Sequence, residues 1–236
     1  MAHVIPQDQP VVILGGFLIT DEAYQPLAEW IHALTGAPVR VVHATRLDWL
    51  LTNTGFGWTR LLQRVDSCVR DLQTTSSTER VTLIGHSSGG VMLRAYLSTE
   101  EFLGHHYNGA ERCNRLITLG SPHQAQRGTS LRLLVDRRFP GCTESSRVDY
   151  ISVAGILDLT SEHASAFSRR TAATFYRQIG ADPTAQGDGL VPLSAALLRD
   201  SRSVVLDDTA HGGFFGQPWY GSPERIGRWW SALEEG

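Results

Sequence analysis

Short apolar runs alternate with stretches of helical spacing through the first half of the chain. Val11-Val12-Ile13-Leu14 stops at Gly15-Gly16 and reads as a buried parallel strand closed by a tight turn. From Glu22 to Leu34 the apolar residues Leu27, Trp30, Ile31 and Leu34 share one helical face, and Gly36 and Pro38 mark its end. Val39 to Val42 predicts a second strand. From Trp58 to Leu72, the positions Leu61, Leu62, Val65, Cys68, Val69 and Leu72 fall on one side of a second helix. Val81 to Ile84 predicts a third strand, running directly into Gly85-His86-Ser87-Ser88-Gly89-Gly90 and a helix that reaches Leu97. Further strands are expected over Leu116 to Leu119, Tyr150 to Val153 and Val204 to Leu206, with a terminal helix from Glu224 to Leu233.

This alternation calls for right-handed crossovers and a mostly parallel central sheet flanked by helices, an α/β fold. Its functional groups are expected beyond the carboxyl ends of the strands. The 236 residues fit a single domain spanning 1–236. Two stretches break the alternation, about 123–147 and 156–188; they read as small cap-like insertions or as irregular surface segments. The first holds Arg127, Arg132, Arg137, Arg138 and Arg147.

Composition narrows the chemistry. Apolar residues make up 42% of the chain, enough for an ordinary core, and 19% are charged, too few for a disordered chain. The net charge of −3 gives no pull toward nucleic acid, and no nucleic-acid partner is expected. All 21 basic residues are arginine, which excludes a Schiff-base or P-loop lysine. Cys68, Cys113 and Cys142 have neither disulfide nor metal spacing and read as small buried thiols. Met1 to Pro10 is polar without an apolar signal core, and no run reaches the ~18 apolar residues of a membrane span, so a cytoplasmic location is expected.

Gly85-His86-Ser87-Ser88-Gly89 fits G-x-S-x-G, and its place between a strand and a helix is the one a nucleophile elbow needs. Glycines at either side let strand and helix approach while the turn lifts the Ser87 hydroxyl. Ser88 would enter the helix and point away. A serine hydroxyl needs a base, and the base needs an orienting carboxylate. In this kind of fold the order is serine, acid, histidine, with the histidine after the last strand. His211 stands there, five residues past Leu206. His3, His32 and His43 precede the serine; His105, His106 and His163 lie in loop or insertion segments; His86 sits in the elbow; His123 follows a strand end before any acid. For the acid, Asp158 and Asp188 both follow the fifth strand in turn-like surroundings, and spacing leaves both open.

Four segments in order resemble the α/β-hydrolase superfamily, in its lipase, lecithin–cholesterol-acyltransferase-like and GPI-inositol-deacylase-like branch. Val11 to Phe17 looks like the first-strand oxyanion loop. Gly85 to Gly90 is similar to the G-H-S-x-G-G elbow. Thr118 to His123 is like the LGxPH segment. Gly187 to Leu193 is similar to the DGxVP segment that carries the triad acid. The resemblance implies an α/β-hydrolase fold, N-terminally shortened. It favours Asp188 as the acid, and it implies the Phe17 and Ser88 backbone amides as an oxyanion hole. Gly15 stands where proline or histidine is more usual, which implies a looser oxyanion loop. Some relatives hold calcium near the histidine; here Asp207 and Asp208 lack a second ligand cluster, and neither metal nor cofactor is expected.

The expected function is therefore a serine hydrolase cleaving a carboxylic ester, lipase- or esterase-like, through a Ser87 acyl-enzyme with Asp188 and His211. Gly16, His86, His123, Phe214 and Phe215 are candidates to line the substrate. Phe214, Phe215, Trp219 and Tyr220 read as an apolar rim for an acyl chain, or else as a core anchor for the terminal helix. Leu131, Leu133, Leu134, Val135 and Phe139 are further acyl-lining candidates. The partner is then a small-molecule or lipid ester, with room for peripheral membrane contact; the oligomeric state is open. An acyltransferase with the same triad, or a non-catalytic small-molecule-binding protein, remains an alternative.

Overall fold

A computed structural model describes Pro6 and residues 8–233. Most of the N-terminal segment read above for a signal core, including His3, lies outside the described residues. Six strands form one sheet: β1 (Val11–Leu14), β2 (Val39–Val41), β3 (Val81–His86), β4 (Cys113–Leu119), β5 (Asp149–Ile156) and β6 (Arg202–Asp207). Their order is β2-β1-β3-β4-β5-β6. β1 pairs in parallel with β2 and β3, and β5 pairs in parallel with β6. The helices are α1 (Gln25–Thr35), α2 (Arg46–Leu51), α3 (Gly55–Thr75), α4 (Ser88–Leu97), α5 (Ser130–Arg138), α6 (Ala166–Gln178), α7 (Leu193–Ala196) and α8 (Pro223–Ser231). Among the described residues, no helix is long and apolar enough to cross a membrane.

The chain divides into two compact units: Met1–Ile117 with Thr143–Tyr150, and Thr118–Cys142 with Ile151–Gly236. In the first, β1 and β3 are buried along their whole lengths, β1 as an unbroken apolar run and β3 as a mainly apolar one that also buries Thr82 and His86. α3 turns Leu61, Leu62, Val65, Val69 and Leu72 inward. β1 lies between β2 and β3, so the chain winds first one way and then back. Such a reversal opens a crevice at the carboxyl ends of β1 and β3. The register sets Leu14 opposite Gly85, which places Gly15-Gly16 level with His86-Ser87.

In the second unit, the stretches that broke the strand–helix alternation contain regular helices. α5 starts at Thr129, whose side chain accepts from the Arg132 amide. α6 starts at Ser165, whose hydroxyl accepts from the Ser168 amide. The inner face of α6 is Ser168, Ala172 and Tyr176, residues that raise little hydrophobic signal at helical spacing. β5 and β6 end beside the segments that carry Asp188 and His211: the Leu157 amide donates to the Gly187 carbonyl, and the Thr209 amide donates to the Ile156 carbonyl.

Candidate active site

Ser87 sits between β3 and α4 with φ 52° and ψ −125°, a left-handed conformation that costs a non-glycine residue about 1–3 kcal/mol. Close packing on both sides holds it there. A Cβ on Gly85 would collide with the Gly90 backbone, and one on Gly89 would strike the Leu14 and Gly15 carbonyl oxygens. A Cβ on Gly16 would lie 2.8 Å from the Ser87 Cβ, so the turn after β1 runs directly beside the serine. Ser88 is the first residue of α4, and its backbone amide is at the positive end of that helix.

Tyr24, fully buried just before α1, braces this turn. Its ring packs where a Gly15 Cβ would be. Its hydroxyl accepts from the Gly16 amide at 2.8 Å and lies 2.7 Å from His86 Nδ1. One phenol oxygen thus joins the turn after β1 to the His86 ring of the elbow. The loop is therefore not left loose by Gly15: the glycine makes room for the tyrosine that ties the loop down. Burial pushes the Tyr24 phenol well above its ordinary value, against the opposing bond from Gly16. Phe17 and Leu18, the next residues, are exposed.

In the second unit, the structure brings Asp188 and His211 together. His211 Nδ1 lies 2.8 Å from Asp188 Oδ2, and the His211 amide donates to the Asp188 carbonyl at 2.8 Å. Both side chains are buried, at 2% and 0% exposure, which removes water as a competing partner. Asp188 Oδ1 accepts from the Leu190 and Val191 amides at 3.0 and 2.7 Å. Oδ2 accepts a second bond from the Tyr220 hydroxyl at 2.8 Å. A buried carboxylate is costly unless hydrogen-bonded, and this one has four donors. Asp158, the other candidate, is exposed and takes the Thr160 amide and hydroxyl.

The remaining candidates fall into two groups. His86 and His123 are buried; His123 Nε2 lies 3.0 Å from Thr118 Oγ1. Phe214 and Phe215 are at the His211 end. Phe215 meets the His211 ring edge-on at 5.6 Å, and Phe214 is 69% exposed. Sequence reasoning missed their companions on α6. The Phe167 ring lies 4.4 Å from that of Phe214, tilted by 56°, and the Phe175 ring lies 6.1 Å from that of Phe215. Phe167 and Phe175 are eight residues apart, a helical spacing that points to one face. Trp219 packs beside Leu157, Ala164 and Ala210. Tyr220 is not a rim residue: it is fully buried on the acid. In the first insertion, Val135 and Phe139 are buried, while Leu131, Leu133 and Leu134 are half-buried. Among the described residues, no three His, Cys, Asp or Glu are grouped as a metal ion would need.

Comparison with known proteins adds a family match and a set of similar folds. The sequence model of a family described as palmitoyl protein thioesterase matches residues 10–181. No curated protein sequence matches the chain. The mature form of a lipase from Bacillus licheniformis is similar over 89% of this chain and 87% of that one, with a TM-score of 0.60 and 15% identity. A gene product of Listeria innocua is similar over 97% of this chain and 95% of that one, with a TM-score of 0.55 and 13% identity. The fold is that of the α/β-hydrolases.

Proposed function

The chain belongs to the palmitoyl protein thioesterase family, and on that premise we propose that it removes an apolar acyl group from a thioester or ester through a Ser87 acyl-enzyme. At the coarser level it is an α/β-type ester or thioester hydrolase. His211, its Nδ1 proton committed to Asp188, takes the Ser87 proton on Nε2. The Ser87 oxygen attacks the acyl carbonyl, and the negative charge that develops is received by the Phe17 and Ser88 amides. The tetrahedral intermediate collapses, breaking the bond to the thiol or alcohol, which leaves with the proton from His211. Water, giving its proton to His211, then attacks the acyl-enzyme; the bond to the Ser87 oxygen breaks as His211 returns the proton to it, and the acid is released.

One observation carries this reading: a buried imidazole 2.8 Å from a carboxylate whose every lone pair is engaged. Such a pair is a base fixed in one tautomer and unable to turn. The substrate class is supported by the phenylalanine cluster beside it, Phe167, Phe175, Phe214 and Phe215, which gives a half-exposed apolar surface at the His211 ring. The test is turnover of matched acyl thioesters and oxygen esters from acetyl to palmitoyl. Long chains are expected to give the higher kcat/KM, and Ser87→Ala to lower kcat about a million-fold. A preference for acetyl would remove the apolar substrate, and undiminished turnover by Ser87→Ala would remove the mechanism.

A further inference from the structure

We propose that Tyr220 is a positioning residue of the acid–base pair, its hydroxyl clamping the Asp188 oxygen that orients His211 from an anchor on the Gly155 amide. The proposal rests on His211 being the base, as argued above. It stands on a chain of hydrogen bonds with one sense only. The Gly155 amide, near the end of β5, donates to the Tyr220 hydroxyl at 2.7 Å. Having accepted that bond, the hydroxyl turns its proton to Asp188 Oδ2 at 2.8 Å, the atom that also takes His211 Nδ1. With Oδ1 held by the Leu190 and Val191 amides, the carboxylate can neither rotate nor slide.

The surroundings are shaped to this contact. A Cβ on Gly120 would lie 2.6 Å from Asp188 Oδ2 and 2.9 Å from the Tyr220 hydroxyl. One on Gly155 would lie 3.0 Å from the same hydroxyl. Both glycines leave space where the hydroxyl meets the carboxylate. The Tyr220 backbone is fixed in turn from α8, where the buried Trp229 indole donates to the Tyr220 carbonyl at 3.0 Å. Burial and the adjacent carboxylate push the Tyr220 phenol well above its ordinary value, so it stays a donor. Tyr176 of α6, another buried phenol at the Asp188 segment, is different: its hydroxyl accepts from the Gly189 amide at 3.1 Å.

Tyr220→Phe tests the clamp. Loss of a hydrogen bond to a charged group is expected to lower kcat about ten- to a hundredfold on a palmitoyl thioester, with KM little changed. In an Asp188→Asn background the same substitution is expected to add almost nothing, because it acts through that carboxylate. The low-field proton resonance of His211 Nδ1 is expected to move further downfield, since Oδ2 loses its competing donor. Tyr176→Phe is expected to leave that resonance in place. Should Tyr220→Phe not fold, 3-fluorotyrosine at position 220, a stronger donor of nearly the same size, is expected to move the resonance upfield. The resonance needs no substrate, so its shift in a protein without hydrolase activity would uphold the clamp while removing the proposed function. An unmoved resonance with kcat kept, or full additivity with Asp188→Asn, would overturn the clamp.

Discussion

Around Ser87 the chain removes side chains; around His211 it adds hydrogen bonds. The serine is held in a left-handed backbone conformation by Gly85, Gly89 and Gly16, each packed where a Cβ would strike neighbouring atoms. The histidine is held by a buried carboxylate with four donors, two from the adjacent backbone and two from residues 23 and 32 positions away. Each arrangement also has a buried tyrosine whose hydroxyl accepts from a backbone amide: Tyr24 from Gly16, and Tyr220 from Gly155. The difference teaches how each part should fail. Steric packing tolerates no added atom, whereas a hydrogen-bond network loses strength one bond at a time.

The largest effect belongs to the network's central atom. Asp188→Asn keeps the shape but disturbs the tautomer of His211, and kcat is expected to fall about ten-thousand-fold with the fold intact by circular dichroism. A loss of only a few-fold would mean that the carboxylate does not orient the base. Next comes the steric side. Gly89→Ala drives a methyl into the Leu14 and Gly15 carbonyls and is expected to cost about 1–3 kcal/mol of stability in urea unfolding, with activity lost. Gly212→Ala, beside His211, meets nothing within 4 Å and is expected to leave stability unchanged. Equal costs for the two would erase the contrast. Tyr24→Phe should act more mildly. It leaves the Gly16 amide unpaired and is expected to lower kcat about tenfold, with the Ser87 fluorophosphonate adduct still forming.

The smallest effect is on alkaline stability. Burial raises the phenols of Tyr24, Tyr96, Tyr176 and Tyr220 above their ordinary value. The unfolded chain then loses protons near pH ~10 while the folded chain keeps them. Stability is therefore full below about pH 10 and falls as pH rises toward the folded-state values. Each such tyrosine contributes a slope of about 1.4 kcal/mol per pH unit. Urea midpoints between pH 9 and 11 should fall less steeply for Tyr220→Phe, by one tyrosine's share; an unchanged slope would place that phenol in contact with water.

The sequence made some of this visible and hid the rest for physical reasons. β1 is an unbroken apolar run and β3 a mainly apolar one because both faces of the sheet are covered there, and the elbow follows β3 directly. α6 stayed hidden because its inner face is Ser168, Ala172 and Tyr176. α2 is a single short helix whose signal was local: Thr45 and Asp48 form a reciprocal capping box. Asp158 and Asp188 look alike in sequence because both accept from backbone amides two residues on. They differ in what reaches Asp188 from His211 and Tyr220, which no local pattern carries. Tyr24 and Tyr220 likewise read as core residues until their hydroxyl partners are known.

Ser87 is proposed above as a nucleophile activated by His211. Labelling with a fluorophosphonate probe, followed by mass spectrometry of the modified peptide, tests this. The expected result is one adduct on Ser87, formed orders of magnitude more slowly in His211→Ala. An adduct on another residue, or unchanged labelling speed without the imidazole, would contradict it.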